Sequence, residues 1–268
     1  MDAWILDGFL YILAGAGVGF AVGLTGIGGG SLMTPLLLMF GFPPPVAIGT
    51  DLMYAAMTKT SGVIAHQRQH TINWSIVGTL ALGSVPASLV TIWLLKNYFT
   101  GGESYAHILT SCLGFMLILT ALVLLFRNRI LASDDRGGMI HWLQERSRSA
   151  TMVMGLFLGF LVTLSSVGAG AFGTAVLIIL YPTLASVRIV GTDLAHAVPL
   201  TLIAGAGHFW LGNVDLSLLI CLLIGSLPAT HFGARVGSRI PELLLQRILA
   251  VILLTLGSYY TLTMFTFF

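Results

Sequence analysis

Gly49-Thr50-Asp51-Leu52, His66 and Gly83-Ser84-Val85-Pro86-Ala87 return in the same chain as Gly191-Thr192-Asp193-Leu194, His208 and Gly225-Ser226-Leu227-Pro228-Ala229, every matched position 142 residues later. Upstream, Gly19-Phe20, Thr25, Gly28 and Gly30 recur as Gly159-Phe160, Ser165, Gly168 and Gly170 at a spacing of 140, so the second copy carries two extra residues between the blocks. A register held this far marks an internal duplication. In an apolar chain, duplicated halves place their shared site where the halves meet.

The chain is that apolar. Of its 268 residues 56% are hydrophobic and only 8% charged, with 32 glycines and a mean hydropathy of +0.95. Soluble domains carry roughly 25% charged residues, so this composition reads as an all-α polytopic membrane protein. The net charge of +2 gives no reason to invoke nucleic acid. Cys112 and Cys221 lie inside apolar runs and read as small buried hydrophobes, with no redox chemistry inferred. The first segment has no basic residues before it and no small-residue cleavage site after it, which reads as a retained membrane segment.

Ten apolar segments are expected, at about 4–25, 31–42, 45–66, 73–95, 106–126, 150–167, 171–182, 188–211, 214–236 and 243–266, five per copy. The expected organisation is a first membrane repeat over 1–126, a cytoplasmic connecting loop over 127–149 and a second repeat over 150–268. The second segment of each five is about 12 residues, or about 18 Å as helix, against roughly 30 Å of hydrocarbon. Each is preceded by a glycine-rich break, Gly26 to Gly30 and Val167 to Gly173. Paired short, glycine-interrupted segments are the sequence signature of half-helices at a transporter's binding site.

Arginines set the expected orientation, because cytoplasmic loops hold an excess of them. Arg127, Arg129, Arg136, Arg146 and Arg148 place the central loop inside, as do Arg68 near the 66–73 turn and Arg235, Arg239 and Arg247 around the 236–243 turn. The turn from His208 to Asp215 and both termini lack Lys and Arg and are expected outside, while Lys96 near an outside turn is balanced by Glu103. The loop after the third segment is thus inside in one half and outside in the other. The expectation is two inverted five-segment repeats.

Inversion would bring two half-helix N-termini together, each with unpaired N–H groups and partial positive charge, a place that suits an anion. The backbone at Gly28, Gly29, Gly30, Gly168 and Gly170 would approach the ligand, and Thr25, Ser31, Ser165 and Ser166 would add hydroxyl donors. The competing reading is that these glycines serve only close helix packing. Lys59, in the middle of the third segment, would cost about 3 kcal/mol or more if unpaired at the bilayer centre. It is expected to face a polar cavity and meet an anion or a carboxylate; its counterpart is Thr201, and the plain alternative is a snorkelling or structural lysine.

Asp51 and Asp193 admit two readings. In one, Gly-Thr-Asp is a helix start with Thr as cap and Asp favoured by the dipole. In the other, both are gating or proton-coupling groups. His66 and His208 end their segments near the interface, where histidine titrates at ordinary pH; they are grouped with the coupling residues, or are plain interfacial tips. His196 stands where the first copy has Tyr54, and His231 has no partner, so neither inherits the symmetry argument. No phosphate loop, zinc-spaced Cys or His set or serine elbow is visible, so no enzyme, cofactor or metal is expected.

With Gly26-Ile-Gly-Gly-Gly30-Ser-Leu-Met-Thr-Pro35, the two Gly-Thr-Asp-Leu blocks, Lys59-Thr-Ser-Gly62 and the two Gly-Ser-x-Pro-Ala blocks, the chain resembles the sulfite exporter TauE/SafE family of membrane permeases over nearly its whole length. The second copy departs from the triple glycine, reading Gly168-Ala-Gly170. The resemblance implies transport of sulfite, organosulfonates or other sulfur oxyanions, commonly outward across a bacterial inner membrane. The expected function is therefore export of a small anion by alternating access. Its partners would be that solute and the lipid bilayer, without nucleic acid and with room for a homo-oligomer. The alternatives are transport of another small solute or a metal cation, or a non-transporting accessory or assembly subunit.

Overall fold

The computed structural model describes residues 3–25, 32–99, 103–132, 144–237 and 240–266, and among these every regular element is helical. The helices are α1 (Ala3–Thr25), α2 (Met33–Met39), α3 (Pro44–Arg68), α4 (Trp74–Tyr98), α5 (Glu103–Ala132), α6 (Ser147–Ser165), α7 (Ala171–Leu180), α8 (Ser186–Trp210), α9 (Leu216–Gly237) and α10 (Glu242–Thr266). Six, α4, α5, α6, α8, α9 and α10, contain stretches long and apolar enough to cross a membrane. In α3 the run is interrupted by Asp51 and Lys59. With 7 and 10 residues, α2 and α7 reach only about 10 and 15 Å, a fraction of the hydrocarbon thickness.

Local signals set the ends. Pro43 is extended, with ψ of 140°, and Pro44 opens α3, since proline lacks the N–H that a first turn leaves unused. The Asn73 side chain accepts from the amides of Ser75 and Ile76 and starts α4. Gly168 and Gly170 have φ of 120° and 136°, a backbone that residues with a Cβ rarely adopt, and they turn the chain from α6 into α7.

Two expectations need correction here. Asp51 and Asp193 do not start helices: the proline run and the extended Ala185 move the starts back to Pro44 and Ser186, so each aspartate lies at the third turn. Thr50 and Thr192 accordingly do not cap their own helices. Each accepts the amide of a residue in the other copy, Asp215 at 3.1 Å and Asn73 at 2.9 Å respectively. The apolar run of the fifth segment spans Tyr105–Phe126, as expected, while the helix α5 that contains it continues to Ala132 through Arg127 and Arg129. Charged residues end an apolar run without ending a helix.

Polarity is distributed inside out. Thr50, Asp51, Lys59, Ser84, Thr163, Asp193, His196, Thr201, His208 and Ser226 are buried, whereas Leu82, Trp93, Phe115, Phe157, Ile220 and Ile224 are exposed. Lipid, not water, is the solvent for such a face. The fold places this multi-pass protein in a membrane, and its helices pair across the copies: α1 lies along α9, α6 along α4, α3 along α8 and α5 along α10.

These pairings are close and reciprocal. A Cβ at Gly225 would fall on the Ile12 carbonyl and the Ala16 amide, and one at Gly83 on the Met152 carbonyl and the Leu156 amide, the same positions of the other copy. Gly49 abuts His208 and Asn213, while Gly191 abuts His66 and Thr71. Gly205 meets Met53 and Gly62 meets Leu194, so the start of α3 faces the end of α8 and the two run antiparallel. Small residues permit this approach in lipid, where packing replaces the hydrophobic drive.

Candidate functional site

Antiparallel packing of α3 on α8 overlays two equivalent faces. On α3, Asp51, Ala55 and Lys59 follow at four-residue spacing; on α8, Asp193, Ala197 and Thr201 do the same. The short helices close on these faces. Thr34, in the first turn of α2, donates to Asp51 Oδ2 from its amide at 3.2 Å and its hydroxyl at 2.5 Å. Thr174, in the first turn of α7, donates its hydroxyl to Asp193 Oδ2 at 2.9 Å. The α7 backbone passes so near that a Cβ at Gly173 would meet the Asp193 carboxylate. Asp51 is 0% exposed and Asp193 2%, and in both the second oxygen, Oδ1, has no hydrogen-bond partner among the described residues.

Lys59 enters this polar core from α3. Its ammonium is buried and donates to the Ala169 carbonyl at 3.1 Å, inside the glycine break between α6 and α7. Both carboxylates lie within its electrostatic reach, Asp193 the more strongly, without a direct ion pair among the described residues. The ammonium has three N–H groups, and this carbonyl is its one partner among those residues. Ser166 is left-handed at φ 59°, buried and faces Asp51, and its hydroxyl has no hydrogen-bond partner among the described residues.

Around this centre stands a second reciprocal pair. Tyr54, one turn beyond Asp51, places its hydroxyl 2.6 Å from Ser226 Oγ. His196, one turn beyond Asp193, places Nε2 2.8 Å from Ser84 Oγ. The mismatch of Tyr54 with His196 therefore conceals an equivalence: both reach the serine of the opposite Gly-Ser-x-Pro-Ala block. Thr34 and Thr174 are a further match, at the 140-residue spacing of the upstream register, which was the signal available for finding them.

The expected site residues divide as follows. Lys59, Asp51, Asp193, Ser166, Gly168 and Gly170 come together with Ala169 at the centre. Ser165 is buried beside them, but its hydroxyl lies 2.7 Å from the Leu161 carbonyl and accepts the Val167 amide, holding its own turn. Gly28, Gly29, Gly30, Ser31 and the side chain of Thr25 lie outside the described residues. No hydrogen bond joins His66 or His208 to either carboxylate: they pack at opposite ends of the α3/α8 pair, against Gly191 and Gly49. His208 is fully buried and donates from Nε2 to the Thr163 carbonyl at 2.9 Å, so it is not an interfacial tip. His66 is half-buried beside the Thr71 hydroxyl. Among the described residues no three His, Cys, Asp or Glu side chains gather as a metal would require.

The family described as "Sulfite exporter TauE/SafE" matches residues 11–260. The chain is 39% identical to "Probable membrane transporter protein YjnA" of Bacillus subtilis over 249 residues, 92% of this chain and 96% of that protein. It is 28% identical to "Probable membrane transporter protein YdhB" of the same organism, covering 85% and 90% of the two chains. It is also 27% identical to a protein of Methanocaldococcus jannaschii named in the same way, covering 93% and 94%. No solved structure is significantly similar.

Proposed function

The chain belongs to the sulfite exporter TauE/SafE family of membrane transporters, and from that premise we propose that it carries a small anion, a sulfur oxyanion or sulfonate, outward across the inner membrane. Transport, not enzymatic chemistry, is its activity. The observation that carries the anion reading is Lys59: a buried ammonium with one acceptor among the described residues, set against a glycine break where backbone can approach a ligand. An anion bound there satisfies donors that the protein itself leaves over. Asp51 and Asp193 serve as gating or proton-coupling groups, their unpartnered Oδ1 atoms being where a proton would sit.

Alternating access of two inverted halves is the motion proposed. It draws support from the antiparallel α3/α8 pair and from reciprocal contacts such as Thr50 with Asp215 and Thr192 with Asn73. The excess of arginine on the connecting segment supports a cytoplasmic position for that segment, with both termini outside. Export follows from energetics: an inside-negative potential drives each negative charge outward with about 2.3 kcal/mol per 100 mV, so efflux needs no strong coupling. In proteoliposomes, Lys59→Met should abolish sulfite or sulfonate flux while the protein remains folded. Undiminished flux would remove the cation from the mechanism.

A further inference from the structure

His196 differs from every other buried histidine partnership in the core. Its side chain is 0% exposed, its Nε2 contacts Ser84 Oγ at 2.8 Å, and its Nδ1 has no partner among the described residues. The proton positions follow from accounting. Ser84 is also 0% exposed, and among the described residues its hydroxyl has one neighbour able to accept, His196 Nε2. If Nε2 carried the ring proton, the Ser84 hydroxyl would lose its acceptor and Nδ1 would be a second orphan. With Ser84 donating to Nε2, the ring proton sits on Nδ1 and one group alone is left over. That group is an N–H donor.

Its setting is the site already described. His196 stands one turn from Asp193 on α8, and Asp193 and Lys59 both border the break between α6 and α7, at Gly173 and Ala169. A buried imidazole N–H and a buried ammonium with unused N–H groups thus reach the same polar core from opposite halves of the molecule. A metal cation would meet repulsion from both. An oxyanion accepts from both, through different oxygens. The first copy does not offer this, because Tyr54 in the equivalent position has a single hydroxyl, already 2.6 Å from Ser226.

We propose that His196 Nδ1–H is a second anion-binding donor that works with Lys59, so that the ligand is an oxyanion with at least two acceptor oxygens. This rests on the anion-transport reading above. Ser84 is then a positioning residue that fixes the tautomer.

Two amide substitutions separate the two nitrogens. His196→Gln puts an amide near the Nε2 position and keeps a partner for Ser84 while losing the Nδ1 donor. His196→Asn puts an amide near the Nδ1 position and keeps the donor while abandoning Ser84. The full-length transporter in nanodiscs would be titrated with sulfite, and with chloride as a single-atom anion, alongside thermal melts. The Gln variant should melt like the parent and bind sulfite about tenfold more weakly, with chloride affinity unchanged. The Asn variant should melt earlier and bind sulfite within about threefold of the parent. A Gln variant that binds as the parent does, or an Asn variant that binds more weakly than Gln, overturns the proposal while leaving Lys59 and transport standing. A parent protein that binds neither sulfite nor sulfonate overturns the transport reading, and this inference with it.

Discussion

The two copies meet the same structural demands with matching residues and differ where charge is concerned. Thr34 with Asp51 and Thr174 with Asp193, or Thr50 with Asp215 and Thr192 with Asn73, are the same contacts made twice. Lys59 against Thr201, and Tyr54 against His196, are not. Matching residues hold the two copies together, and unmatched ones give the shared centre one positive charge and one imidazole. Duplication supplied a framework with two equivalent halves. Its departures from equivalence are what an anion would recognise.

Lys59→Thr tests this most severely, since it makes the two faces alike. Flux should fall to that of empty vesicles while the melting temperature is held or raised, because a buried charge is removed. Next in size, Asp51→Asn and Asp193→Asn keep an acceptor for Thr34 or Thr174 but remove the protonatable oxygen. Each should lower flux about tenfold, a cost of about 1.4 kcal/mol, and leave it unresponsive to an imposed pH gradient. Parent flux indifferent to that gradient would take both carboxylates out of proton coupling. The packing pair should then behave identically in both copies: Gly83→Ala and Gly225→Ala each push a methyl into the facing backbone and should each cost about 1–3 kcal/mol in detergent unfolding. The smallest effect belongs to Thr50→Val and Thr192→Val, about 1 kcal/mol apiece for one loop hydrogen bond. A large inequality within either pair would show that the copies are not mechanically equivalent.

Much of the fold was legible in the sequence because hydropathy and glycine breaks bear directly on what lipid permits. The segment expected at about 73–95 is α4 at Trp74–Tyr98, and the one expected at about 171–182 is α7 at Ala171–Leu180. Arg127 and Arg129 end the fifth apolar run at Phe126, as expected, while the backbone keeps its helical bonds and α5 runs on. What the pattern missed has physical reasons. Gly-Thr-Asp imitates a cap, and only the prolines before it show that the helix has already begun. At the site, Lys59, Asp51 and Asp193 were visible as charges where charge is costly. The role of His196 was hidden although its position matched Tyr54, because a phenol and an imidazole look unlike, yet each can reach a serine across a helix interface.

The crossed pairing of the helices also has a consequence in time. α4 is followed by its partner α6 after about 50 residues, a delay of about 2–10 s at roughly 5–20 residues per second of synthesis. α1 is made before both, yet α9, whose Leu222 and Ser226 fill the space at Gly15 and Gly19, begins about 190 residues later. That wait is about 10–40 s. Through that interval the glycine face of α1 waits for its partner's backbone, so a helix made early is among the last to be locked in place.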